Sequence, residues 1–485
     1  MVIAIALASV LTALPTERVM PEGRFPFVGS SAERIEVSLA RNERESVQVV
    51  VDAETDLNGV KVGVEGIPLR VDCDMVAYTH TTNAASYTGG SVGRPAWYPD
   101  ALVPVPKDGL RVRKGFRQSF WIRVYADVSA VPGTYAGALR VQSSAGALKT
   151  IPFTVRVRNF TLPYDAFLPL AITFNPQTSL PRGSAMRKAV EDSPSSPLNL
   201  WRKKEAEWYG FLADYGITPD NLYWNNVPGD PALADQDGRW AAFRRLRDAG
   251  RLGRFNLGYF APLDEGEANE AAWRTRYLRH IRRAYDRALR DNILDHAYIY
   301  GCDEAGTNRA DAVARACAVL KRELPGVPIM TTAKDARPDG GRAYGCGTPL
   351  AAADACVPLT DKYDPAQAVR ARAEGREVWW YVCCWPHGDE ANLFLESRPI
   401  EGRLLAGAMS VQSGADGFLY YQTSMWNSLK AVGRRPKTEW TAQSWECYNG
   451  DGSLARVAED GSPLPTVRLE NLRDGLEDYL SLIHI

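Results

Sequence analysis

Tyr298-Ile299-Tyr300-Gly301-Cys302-Asp303-Glu304 is a short apolar run that reaches a glycine and then presents two adjacent acids. Seven comparable apolar runs flank it, at 168–174, 221–224, 255–260, 329–332, 355–357, 378–383 and 417–421, with its own core at 296–300. Amphipathic segments fall between them, at 203–215, 273–287, 310–324, 365–373 and 400–412. Short apolar runs alternating with helical periodicity indicate βα units and a parallel sheet, and eight of them predict a (β/α)8 TIM-type barrel over residues 161–485. In such a barrel the strand ends carry the active site, so a run ending in Gly301, Asp303 and Glu304 places two carboxylates at the mouth.

Upstream of this region the periodicity changes. From Ile35 to about Val157 the chain reads as short alternating runs, among them 47–51, 120–124 and 151–155, separated by turn signals at Pro132-Gly133 and around Gly89-Gly90. That is the pattern of an all-β sandwich, here over residues 1–160. Two domains also suit a chain of 485 residues, longer than one hydrophobic core usually organises. The chain stops at Ile485, inside an amphipathic segment that begins near Pro465, so the barrel's C-terminus reads either as truncated or as a short tail.

Composition narrows the function. Apolar residues make up 45% and charged residues 24%, a folded globular balance, and the formal charge of -1 offers no net attraction for nucleic acid or an anionic membrane. A neutral substrate fits that balance better than a polyanion. Residues 1–15 are apolar and read either as the remnant of a secretory segment, implying a secreted, periplasmic or cell-surface protein, or as a first strand at 2–11. No other apolar run approaches the ~20 residues of a membrane span. The eight cysteines contain no C-x2-C pair for zinc; Cys346 and Cys356 are spaced for a loop disulfide, although buried free thiols are the plainer reading. Neither a metal nor a cofactor is expected.

Cleaving a glycosidic bond requires a proton donor for the leaving oxygen and negative charge to stabilise an oxocarbenium-like transition state. Asp303 and Glu304 can supply both. Consecutive Cα atoms lie only about 3.8 Å apart, so the pair is poorly placed to straddle a sugar ring. That disfavours a protein nucleophile on the opposite face and suits attack by the sugar's own 2-acetamido oxygen. Glu304 would then be the acid/base and Asp303 would orient the acetamido group. Asp264-Glu265, after the third run, is a pair of the same composition near a strand end, and composition does not choose between the two.

The segment 298–304 resembles the Tyr-x-Tyr-Gly-x-Asp-Glu stretch of glycoside hydrolase family 123 and of the related domain-of-unknown-function family 4091. Agreement extends to Asn42-Glu43-Arg44-Glu45 with Gln48, Trp97-Tyr98-Pro99-Asp100 with Leu102 and Pro104, Pro132-Gly133-Thr134-Tyr135 with Gly137, residues 378–384, residues 416–420 and residues 468–479. The resemblance implies a β-sandwich before a (β/α)8 barrel, removal of β-linked N-acetylgalactosamine by a substrate-assisted retaining route, and Asp303 and Glu304 as the catalytic pair. Ser481 to Ile485 depart from the pattern.

Around that pair, Tyr381, His387, Tyr420, Tyr421 and Trp426 follow the seventh and eighth runs, where aromatic faces can stack on a sugar and polar tips can bond its hydroxyls. Asn175, at the end of the first run, is placed to do the same, unless it serves only the turn before Pro176. Trp380 reads as packing, and Asn42, Glu43 and Glu45 as residues that fix a strand or a domain interface. No G-x-S-x-G elbow, phosphate loop or dinucleotide fingerprint is present. The expected partner is a glycan or glycoconjugate substrate. Two rival readings remain: a glycosidase of this architecture with another sugar specificity, and a glycan-binding protein that does not cleave.

Overall fold

The computed structural model describes residues 8–27, 29–82, 87, 94–164, 167–175, 197–425, 442–445, 447–458 and 460–484, with 197–203 and 484 described by their backbone alone. Residues 1–7, the Gly89-Gly90 stretch and Trp426 lie outside these.

The first 161 residues build two facing sheets. One has six strands in the order Ser30–Ser31, Ala8–Ala13, Glu43–Ala53, Arg117–Ala126, Arg70–His80 and Trp97–Pro104; the other has five, in the order Ile35–Arg41, Gly146–Thr161, Gly133–Ser143, Leu57–Glu65 and Leu110–Val112. Their inward side chains, including Val49, Phe120 and Ile122 from the first and Leu139, Ile151 and Phe153 from the second, form one core. The strand expected at 2–11 appears as Ala8–Ala13, antiparallel to Glu43–Ala53.

A sheet with one wet face alternates buried and exposed residues, and Ile35–Arg41 does so. Residues 119–124 do not; all six are buried, because the second face of their sheet is covered by the helix Val467–His484. Val467 packs with Val76, Leu102 and Trp121. Charged groups are buried with it in mutual pairs: Arg123 bonds Asp74 and, at 2.7 Å, Glu470, while Asp100 accepts from Arg456 and Arg468. Arg44 N–H donates to Glu477 at 3.1 Å, and the Asn42 amide donates to Leu162 O at 2.6 Å. The Asn42 to Glu45 stretch thus ties a sheet strand to the last helix.

The remainder contains two parallel sheets. Three strands pair in the order Leu170–Ile172, Phe418–Tyr420 and Trp380–Val382, and five in the order Phe255–Phe260, Ala297–Gly301, Ile329–Thr331, Ala355–Cys356 and Glu377–Val378. The expected run 378–383 is divided at Trp379, so it contributes one strand to each sheet. Parallel neighbours need crossovers, and helices supply most of them, including Arg279–Arg290, Ala310–Glu323 and Pro365–Ala373. The helix expected at 400–412 is two, Ile400–Ala406 and Ala408–Ser413, parted at Gly407, where a side chain would meet Arg403 O at 2.8 Å and Gly475 O at 2.9 Å.

The second expected strand, 221–224, is instead a turn. Its side chains satisfy the backbone in place of a ladder: Asn221 Oδ1 accepts from Tyr223 N–H at 2.9 Å, and the Asn256 amide donates to Asn221 O at 3.1 Å and Leu222 O at 2.9 Å. Asp220 alone bridges to the neighbouring Thr173. Alternate residues of both sheets, among them Ala171, Tyr259, Tyr298, Tyr300, Met330, Tyr381 and Leu419, meet in one buried cluster beneath the site.

Candidate active site

Gly301 is still within its strand, and its lack of a side chain serves a close approach rather than a bend. A Cβ there would lie 2.1 Å from Phe260 O of the neighbouring strand. The departure is made one residue later. Cys302 and Glu304 adopt left-handed backbone, with φ of 53° and 48°, a conformation that costs a side-chain-bearing residue roughly 1 kcal/mol or more. Two such residues flanking Asp303 turn consecutive side chains out of the strand end, held by tertiary contacts.

Those contacts come from hydroxyls. Tyr300 Oη donates to Asp303 Oδ1 at 2.5 Å, and Thr332 Oγ1 lies 3.0 Å from the same oxygen. Thr332 Oγ1 also accepts from Glu304 N–H at 2.8 Å, and Tyr259 Oη accepts from Asp303 N–H at 3.2 Å. Tyr381 Oη donates to Glu304 Oε1 at 2.5 Å. Asp303 is accessible to solvent, yet protein surrounds it closely enough that desolvation raises its carboxyl above the ordinary range, with Glu304 pushing the same way and Tyr300, Thr332 and Tyr223 opposing. Burial raises the Tyr381 phenol well above its usual value, and its bond to Glu304 adds to this, so it stays a proton-bearing donor.

Glu304 opens onto a cavity of about 350 Å³, lined also by Thr332, Lys334, Arg342, Tyr381 and Trp385. This volume suits a sugar-sized ligand. A further acid on its wall, Asp335, is committed elsewhere: Oδ1 accepts from Ala343 N–H at 3.2 Å, and Oδ2 from Gly345 N–H at 2.8 Å and the Thr348 hydroxyl at 3.2 Å. Trp385 is 41% exposed and anchored by its indole N–H to Asp361 at 3.0 Å, so one aromatic face is held at the wall. Among the described residues no group of three or more His, Cys, Asp or Glu is arranged to hold a metal ion, and no helix is long and apolar enough to cross a membrane. The described cysteines are free thiols, Cys346 and Cys356 included.

The structure brings Asp303, Glu304 and Tyr381 together. His387 sits one layer back: it bonds Cys384 O at 2.8 Å, and its ring packs against Trp385 with centroids 4.1 Å apart. Tyr420 does not reach the cavity; it is fully buried, its hydroxyl donating to Asp451 at 3.3 Å and accepting from Gly452 N–H at 2.7 Å. Tyr421 packs beside it, with ring centroids 5.5 Å apart. Asn175 is half-buried at the end of its described segment and is not on the cavity wall. Trp380 lies in the core with Leu170 and Phe418, as its packing reading expects. Asp264 and Glu265 are exposed and paired with Arg309 and Arg315, each at 3.1 Å, so this second acid pair is neutralised at the surface.

Sequence reasoning passed over Thr332, Tyr300, Tyr259 and Trp385. Thr332 carried a usable signal, being the polar residue that follows Ile329–Thr331 at its C-terminal end. Tyr300 stands one strand step inside the acids, within the motif already singled out.

Comparison with known proteins agrees with this picture. Residues 258–485 match the family model described as glycoside hydrolase 123, catalytic domain. The chain is therefore a glycoside hydrolase. Its matched span is a family 123 catalytic domain, as the resemblance of 298–304 implied. Among solved structures, a family 123 glycoside hydrolase from Clostridium perfringens, studied for glycolipid glycan hydrolysis, superposes with a TM-score of 0.71 at 14% identity, covering 98% of this chain and 88% of that one. A family 39 glycoside hydrolase from Bacteroides cellulosilyticus WH2 aligns with a TM-score of 0.36 at 12% identity, covering 92% and 82%. No curated protein matches the sequence.

Proposed function

We propose that this glycoside hydrolase removes a terminal β-linked N-acetylgalactosamine by a substrate-assisted, retaining route, on a (β/α)8 barrel at 161–485 preceded by a sandwich at 1–160. The observation that carries the mechanism is that both candidate carboxylates leave one strand end as neighbours, each held by its own hydroxyl donor, while the cavity's further acid, Asp335, is occupied by its loop. A protein nucleophile facing the acid/base across a sugar ring would require a second free carboxylate. The substrate's acetamido oxygen needs none.

On this reading Glu304 protonates the leaving oxygen and then activates water, with Tyr381 fixing its orientation. Asp303, gripped by Tyr300 and Thr332, aligns the acetamido N–H and stabilises the positive charge of the oxazolinium-like intermediate. Trp385 offers a stacking surface at the rim, with His387 packed behind it. The buried cluster joining alternate residues of both parallel sheets supports the barrel reading. The galactosamine preference rests on the family resemblance, and a glycolipid glycan, the substrate class of the Clostridium perfringens enzyme, is compatible with it.

Turnover of aryl β-glycosides of N-acetylgalactosamine, N-acetylglucosamine and galactose tests this. Hydrolysis of the N-acetylgalactosaminide with negligible action on the galactoside is expected. Comparable hydrolysis of the plain galactoside would defeat acetamido participation, and a faster N-acetylglucosaminide would reassign the sugar.

A further inference from the structure

We infer that the cavity beside Glu304 receives an acidic leaving portion of the glycan, a sugar bearing a sulfate or carboxylate, through Lys334 and Arg342. This rests on the proposed roles: Glu304 protonates the leaving oxygen, and Glu304, not Asp303, lines the cavity, so the space on its side is that of the departing sugar.

Three cations line this cavity, Lys334, Arg342 and Lys362. Lys362 is paired with Asp361 at 2.8 Å. Lys334 and Arg342 make no ion pair with any described residue. The cavity acid close to them in sequence, Asp335, is turned into the 343–348 loop and holds two N–H groups and a hydroxyl there. Arg342 donates only to Asp335 O, at 3.4 Å, which leaves most of its guanidinium donors unengaged.

The placement of Lys334 is not incidental to the acids. Its backbone N–H donates to Ala305 O at 2.7 Å, next to Glu304, and it follows by two residues the Thr332 that bonds both Asp303 and Glu304 N–H. Two cations without a carboxylate partner on the wall of one cavity are open to an anionic substituent, which would gain charge-assisted hydrogen bonds from them. The overall charge of -1 hides this local field, which suits one acidic group rather than a polyanion.

The test compares β-N-acetylgalactosaminides of galactose, of sulfated galactose and of glucuronate, with the neutral 4-nitrophenyl glycoside as reference. At low salt kcat/KM for at least one acidic disaccharide should exceed that of the neutral one by about tenfold. The ratio should fall toward one at about 0.5 M NaCl and in the Lys334→Met, Arg342→Gln double variant. Whichever acidic substrate leads names the substituent. Equal rates in the wild type, or a ratio unmoved by salt, overturns the inference while turnover of the aryl reference leaves the proposed activity standing. If the reference is not turned over, that activity fails, and direct titration with galactose sulfate, glucuronate and galactose decides the inference separately. Binding of an acidic sugar that is lost in the double variant supports it; no preference over galactose ends it.

Discussion

The Tyr381 hydroxyl donates to Glu304 Oε1 at 2.5 Å, joining residues 77 positions apart, one within the strand Trp380–Val382 and one just past Ala297–Gly301 of the other parallel sheet. With Glu304 as acid/base, this phenol fixes the carboxyl's rotamer and leaves the other oxygen for the substrate. Tyr381→Phe is expected to lower kcat about tenfold to a hundredfold, the range of a misoriented proton donor, with a smaller change in KM. Steady-state kinetics on an unactivated disaccharide would show it, and an unchanged kcat would remove Tyr381 from the mechanism.

The two acids should fail differently. Glu304→Gln is expected to reduce turnover by about a hundredfold or more on substrates with poor leaving groups, while aryl glycosides with acidic phenols are partly spared because they need no protonation. Asp303→Asn should depress every acetamido substrate alike, whatever its leaving group. A plot of log kcat against leaving-group pKa for both variants separates the roles, and parallel, modest losses would contradict them.

Gly301→Ala would place a methyl group 2.1 Å from Phe260 O, a backbone atom with no room to yield. The strand must shift, and a destabilisation of roughly 3 kcal/mol is expected, with activity lost as the Cys302 to Glu304 turn moves. Thermal unfolding compared with a substitution at exposed Gly63, where the backbone is not left-handed and nothing lies near the added atom, supplies the control.

Stability should fall between about pH 5 and pH 8. Burial raises the Glu477 carboxyl to about 8 against the pull of Arg473 and Arg44, and burial likewise raises Asp451 and Glu396 to about 7. In the unfolded chain these groups titrate near ~4. Between the two values the folded state binds more protons than the unfolded one, so unfolding becomes easier as pH rises and the stabilisation is lost through each folded value. Melting temperature against pH should slope downward over this interval, and Glu477→Gln should flatten the slope. A melting temperature that climbs from pH 5 to pH 8 would refute the assignment.

Much of this molecule follows from short-range pattern. Apolar runs separated by amphipathic segments marked the parallel strands because burial on both faces demands uninterrupted hydrophobicity. The run 221–224 escaped that logic, since Asn221 and Asn256 take over the hydrogen bonds that a ladder would have made. The acids of 298–304 were legible as strand-end residues, and family resemblance chose them over Asp264-Glu265. The physical ground for that choice, pairing of Asp264 with Arg309 and of Glu265 with Arg315, arises between residues about fifty positions apart.

Sequence by itself therefore determined most of the segments that become parallel strands and where carboxylates can emerge, because hydrophobic periodicity and residue chemistry are local properties. Tertiary structure alone decided which hydroxyls grip the acids, that Tyr420 is buried on Asp451 while Tyr381 meets Glu304, and that Lys334 and Arg342 face the cavity unpaired. Each depends on how separate strands are brought side by side, and packing between distant segments leaves no periodic trace in either one.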